Sequence, residues 1–396
     1  MASQRASALV VLLSMVAVLS GCSSPNTSGT GASVAPTTVV ADLATPGCTT
    51  AVAAAPALAQ VATSPISVPH QPFDVISSSN GEWSFVTADR LAVISNLSFP
   101  PVVRYEVSVR GHPLGEAITH DGRYLITADG SGALVLAVST LEDSGPRPVV
   151  GNLPTMGAGA VEVAVSPDDR FVFLSLENSN EIAVLNLAKA LAHGFGPQDL
   201  VGMVPLGNTP VGLAISTNGH WLYATNEGKS GASTRGQGTL SVIDLSKAER
   251  DPEDAVVATV TAGCSPVRVT VSHQGTVWVT ARGSDALLGY SAALLVSHPS
   301  RALVADVQVG EAPIGLALVN GDTRIVVANS NRFSAPGATS GLTVVDTQAA
   351  LRGKPAVLGS IPTGNFPREV AVQGDLLLVT DYSSNQVQAV ELSTLP

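Results

Sequence analysis

The chain reads as an all-β protein, a seven-bladed β-propeller built from four-stranded antiparallel blades. One strand–turn–strand line recurs seven times along it, at a spacing of about 49 residues, within the range of propeller repeats. No stretch combines the length and the 3.6-residue period of a substantial helix. The part that carries the repeats, about 340 residues, also exceeds what one hydrophobic core usually serves, which calls for two domains or a repeat architecture.

The repeats justify the elements in order. The first strands open as PFDVISSSNG from Pro72, PLGEAITHDG from Pro113, AVEVAVSPDD from Ala160 and PVGLAISTNG from Pro210. They continue as PVRVTVSHQG from Pro266, PIGLALVNGD from Pro313 and PREVAVQGD from Pro367. Each alternates with period two and then meets a Gly, Asn or Asp turn such as Asn80-Gly81 or Asn218-Gly219, residues that tolerate the positive φ of tight hairpins. Second strands end FVTA, LITA, FLSL, YATN, WVTA, VVAN and LVTD. Third strands are clearest as IAVLNL, LSVIDL and LTVVD, and a variable fourth leads to the next opening, as in AVVATVTAG. Four short strands per unit, seven times over, is the propeller pattern. Tandem sandwiches would need longer units of about seven strands. LAKALAH from Leu187 and SAALLVSHPS from Ser291 are expected to add one helical turn at most, and Trp83, Tyr124, Phe171 and Trp221 to pack blades.

A propeller must close its ring or leave open strand edges. The seventh unit ends after three strands, so an N-terminal segment is expected to supply the fourth. Ala57–Thr63 (ALAQVAT), which resembles fourth strands elsewhere, is assigned that place.

The N-terminus reads as an export signal. Met1–Arg5 give a short basic start and Ala8–Leu19 an apolar run too short to span a bilayer. Leu19-Ser20-Gly21-Cys22 resembles the lipobox of bacterial lipoproteins, and that resemblance implies acyl chains on Cys22. The Ser/Gly/Thr/Pro-rich stretch behind it cannot bury enough apolar surface to fold. The expected organisation is therefore signal peptide 1–21, lipidated cysteine and tether 22–56, and propeller 57–396.

Net charge is −11, from 20 basic and 31 acidic residues, without basic runs, which argues against nucleic acid as a partner. Cys48 and Cys264 remain in an oxidising compartment, either as a disulfide or as two thiols. Motifs for haem, zinc, nucleotides and a Ser-His-Asp elbow are missing, so the sequence calls for no metal and no cofactor.

Tyr223-Ala224-Thr225-Asn226 and its siblings, the Gly-x-x-Pro openings and the Ser166-Pro-Asp-Asp-Arg170 turn resemble the YVTN repeat of YncE-like and lactonase-like propellers. The resemblance runs from Pro72 to the C-terminus. It implies the fold, and a lactone hydrolase as one activity.

The second residue after each opening should ring the central funnel: Asp74, Gly115, Glu162, Gly212, Arg268, Gly315 and Glu369. Glu116 and Arg368 lie beside that ring, and His70, His112, Asn208 and Asn365 in the loops before it. Ligand-binding candidates are Asp74, His112, Glu116, Glu162, Arg268, Arg368 and Glu369. For a lactonase, Glu162 or Glu369 would act as base and Arg268 as clamp. Glycines in the ring also let crowded strands approach, and axial charges also pair across a channel. The excursions from Gly228 and Ser330 carry arginines and could form an adaptable rim or be tolerated surface insertions. The leading expectation is an exported, membrane-anchored binding module for an unknown small ligand or envelope protein. A lactone hydrolase and a purely structural scaffold are the alternatives.

Overall fold

The computed structural model describes residues 43–48, 55–68, 70–145, 147–228, 236–334 and 337–396. Cys22, the expected export signal and most of the expected tether lie outside the described residues. None of the described helices is long and apolar enough to cross a membrane.

Seven antiparallel sheets of four strands each are present. Blade one comprises Asp74–Ser77, Trp83–Thr87, Leu91–Ser95 and Val102–Val107. Five more follow in sequence, and the inner strand of each packs on those of its two neighbours. Blade seven's Pro367–Gln373 packs back on Asp74–Ser77 and completes the ring. The seven-bladed fold and its closure by an N-terminal outer strand are as the sequence predicts.

The register of that closure differs from expectation. The outer strand of blade seven is Thr63–Ser67, which runs antiparallel to Gln386–Glu391 with Thr63 opposite Val390 and Ser67 opposite Gln386. The stretch Ala57–Thr63 meets it only at Thr63. Ala57 instead bridges Ser360 in blade six, and Leu58 and Val61 are buried between blades six and seven. The apolar residues that looked like a strand are thus a plug. The real strand hides behind Pro65, which an edge position tolerates because its missing N–H faces outward.

The tetrapeptide hydroxyl explains much of the repeat. Thr87, Ser175, Thr225, Thr280 and Thr380 each accept the N–H of the ring residue in their own blade: Asp74, Glu162, Gly212, Arg268 and Glu369. Each also donates across the blade interface to the next inner strand. The acceptors are the carbonyls of Leu114, Val211, Val267, Ile314 and Phe73, with Thr225 and Thr280 at 2.7 Å. One hydroxyl therefore fixes a ring residue and staples two blades. Blade six has Ala328 at that place, and the Thr127 hydroxyl of blade two turns to its own strand. Ring glycines answer the same crowding, since a Cβ on Gly115, Gly212 or Gly315 would run into the next blade's carbonyl oxygen.

On the opposite face the hairpin turns are stapled too. His120 is bound through its backbone N–H and ring nitrogen by Asp169, and His273 likewise by Asp322. Trp83, Tyr124, Phe171 and Trp221 pack in the clusters between blades. Short helices lie between third and fourth strands in blades two to six, more often than expected. Leu187–His193, at seven residues, makes about two turns rather than one. Cys48 and Cys264 are bonded to each other, Cα to Cα 5.3 Å, and Thr45 is hydrogen-bonded to Thr261 alongside.

Candidate functional site

Inner-strand bulges place the candidate ring on the axis. Register shifts fall just before the ring residue in blade three, between Ala160 and Glu162, and across it in blades four to seven, as between Pro266 and Val269. A bulge re-aims a side chain out of the sheet, here into the channel. Arg268 occupies the centre. Its Nη2 lies 2.6 Å from Glu369 Oε1 and 3.0 Å from Glu162 Oε2, with all three side chains buried. Asp74 accepts the N–H groups of Val75 and Glu116 at 2.7 and 2.9 Å. Six of the sequence candidates, Asp74, Glu116, Glu162, Arg268, Arg368 and Glu369, thus share the channel.

Burial dominates the electrostatics. It pushes the Glu162 carboxyl up to about 7, against the pull of Arg268 and with the push of Glu369. Burial, then the neighbouring carboxylates, raises Asp74 and Glu116 well above the usual range. Arg268, although desolvated, is held above its ordinary value by Glu162, Glu369 and Asp74. Burial and the repulsion of Arg268 bring Arg368 down to about 10, so it remains a cation at neutral pH.

Arg268 separates two cavities. One, of about 300 Å³, opens away from the strand starts and contains Asp74, Glu116, Glu162 and Glu369. The other, of about 190 Å³, lies at the mouth where inner strands begin. Its wall carries Arg268, Arg282, Arg332 and Arg368 with Glu177, Glu227 and Thr209. Arg282 Nη2 pairs with Glu227 at 2.9 Å, and Arg332 lies over the Phe366 ring.

An apolar collar lies just above the ring. Val161, Val211, Val267 and Ile314 form a buried cluster with Phe73, Leu114 and Phe366. Phe73, Leu114, Val161, Val211, Val267 and Ile314 each precede the ring residue of blades one to six. In blade seven that place belongs to Arg368, whose guanidinium stacks on the neighbouring Phe73 ring at 3.6 Å. Arg368 is thus the one charged residue among the seven collar positions.

Other expectations fall away from the site. His112, Asn208 and Asn365 are exposed and line neither cavity. His70 is exposed as well and faces Asp89 at 3.3 Å. The candidate histidine thus belongs to the surface: the loop before Pro113 carries it outward. Conversely, Glu177, Glu227 and Arg282 line the mouth although they lie outside the ring that the strand openings define. Each directly follows a second-strand tetrapeptide, as do Asp89, Asp129, Ser330 and Tyr382, so a second ring is legible at the same period. Arg332 comes from the excursion that begins at Ser330, one of the two expected to form a rim.

A family model described as a Choice-of-anchor I domain matches residues 117–287. That description goes with a surface-associated propeller. No curated protein matches the chain. Among solved structures it is similar to Kuenenia stuttgartiensis hydrazine synthase, with 14% identity and TM-score 0.64, over 83% of this chain and 97% of that one. A chain of the mitotic checkpoint complex is similar at 12% identity and TM-score 0.64, over 82% of this chain and 92% of that one. Likeness at such identities carries the propeller fold alone.

Proposed function

We propose that this chain is an exported propeller of YVTN type, lipid-anchored through Cys22 at the cell envelope, whose funnel mouth holds a small ligand or a segment of an envelope protein. The observation that carries this reading is the mouth cavity, walled by four arginines and closed beneath by the Arg268–Glu162–Glu369 cluster. Concave, preformed sites with a few convergent polar groups are where ligands bind. Glu162 favours a second reading, lactone hydrolysis, because a carboxylate near 7 suits a general base. Against it, the clamp and both candidate bases are already engaged with one another.

Native mass spectrometry of the protein purified from envelopes tests the binding reading. The expected result is a retained small molecule or peptide that an Arg282→Ala variant releases. A chain that always emerges empty and captures nothing would leave the scaffold alternative. Lactone turnover that vanishes in Glu162→Gln would replace binding with hydrolysis. Palmitate incorporation that a Cys22→Ala variant loses is expected for the anchor, and an unlabelled parent protein would refute it.

A further inference from the structure

The mouth cavity also constrains what enters it. Arg268 is answered from beneath by Glu162 and Glu369, and Arg282 from the side by Glu227. Arg332 and Arg368 have no carboxylate within ion-pair distance among the described residues; both lie over aromatic rings instead. Arg282, only 8% exposed, and Arg368 each keep a buried Nε–H without an acceptor. Guanidinium forks aimed into one small cavity suit a carboxylate or a phosphate. In the wall itself four arginines face two glutamates, Glu227 and Glu177, a surplus of two positive charges before the two carboxylates beneath Arg268 are counted. Glu177 is the one of them without an arginine partner at ion-pair distance among the described residues. It also offers an acceptor to a ligand's donor group. That donor is a hydroxyl, because an ammonium would face four guanidiniums. Below, the collar of Val161, Val211, Val267 and Ile314 suits a short aliphatic body. A volume of about 190 Å³ admits a small organic molecule, where a single water needs only about 10–15 Å³.

We infer that the mouth binds a small hydroxycarboxylate, its carboxylate held by Arg368 and Arg332 with the Arg282 Nε–H, and its hydroxyl by Glu177. This rests on the binding reading above and names the ligand class for it. The test is titration calorimetry of the unlipidated chain with lactate. Propionate serves as the match lacking the hydroxyl, lactamide as the match lacking the charge, and alanine and inorganic phosphate as competing classes. Lactate should bind about tenfold or more tightly than lactamide, as expected for charge-assisted hydrogen bonds. It should also bind better than propionate, and Glu177→Ala should erase that second preference. Arg368→Gln should weaken lactate about tenfold or more, and if that variant fails to fold, Arg332→Gln at the rim carries the same expectation.

Equal binding of lactamide, a preference for alanine or phosphate, or lactate binding that ignores both arginine variants would overturn the inference. Silence toward lactate, with a native ligand still retained and lost in Arg282→Ala, would refute the ligand class and leave the binding reading standing. Silence with no native ligand would remove both.

Discussion

At the mouth of the axis, arginines outnumber glutamates in the wall by four to two. In the cavity on the far side of Arg268, four carboxylates face that one cation. The same inner strands border both spaces. The difference arises from which neighbours each space borrows: the mouth takes residues that follow the second strands, whereas the far cavity is lined by inner strands alone. Burial then acts on the two in opposite senses. Desolvation carries carboxyls upward until Glu162 titrates near 7. The arginines have so high a starting value that even Arg368, brought to about 10, stays charged. One end of the channel can discard its charge and the other cannot, and Arg268 is the boundary.

Opening the ring should break this contrast most completely. A chain that begins at Val68 loses the outer strand of blade seven, whose inner strand supplies both Arg368 and Glu369. Urea denaturation should show a loss of several kcal/mol from the missing burial alone, with self-association through the exposed edge. A truncated chain as stable and monomeric as the parent would refute the closure.

Replacing the boundary comes next. Arg268→Met leaves Glu162 and Glu369 buried without their cation, and removing one partner of a buried pair costs about 3–5 kcal/mol. In the parent, Glu162 is raised from 4.5 to about 7. The folded chain thus holds a proton that the unfolded chain gives up. Its contribution to stability is complete below about 4.5, is lost as pH rises toward 7, and is flat beyond. Asp74 and Glu116 act in the same sense. Without Arg268 the decline should be steeper and reach higher pH, so the deficit measured near pH 8 should shrink near pH 5. A deficit independent of pH would mean that Arg268 acts through packing rather than charge.

The smallest expected effect concerns the staples that hold both cavities in place. Thr225→Val deprives Gly212 of an acceptor and the Val267 carbonyl of a donor, at about 1–2 kcal/mol. Thr127→Val, where the hydroxyl does not cross to the next blade, should cost less. Equal costs would mean that inter-blade bonding contributes nothing beyond local strand geometry.

Much of this was legible because a propeller writes each structural role seven times. The Thr of FVTA, YATN and WVTA recurs since every blade must fix its axial residue and grip its neighbour. Asp74, Glu162, Arg268 and Glu369 could be placed on the axis from that period alone. What the repeat could not supply is whatever occurs once. Thr63–Ser67 is polar and carries Pro65, so it resembles no other outer strand, while apolar Leu58 and Val61 imitate one although they fill a gap. Arg368 was noticed as a neighbour of the ring, but its standing as the lone charge in an apolar collar needs the three-dimensional alignment of six other blades. His112 stands outside both cavities for the opposite reason. Its position in sequence matches the funnel loops, yet nothing in spacing tells which way an exposed loop turns its side chain.

The closing strand also sets an order of events. Thr63–Ser67 leaves the ribosome early, and its partner arrives at the far end of the chain, where Ala62 meets Thr394 across 332 positions. Until then the strand has nothing to pair with. A short, polar, proline-bearing segment can wait in water without recruiting other chains, where an apolar strand of the same length would invite aggregation. Its unremarkable composition is what suits it to be joined late although it is made long before its partner.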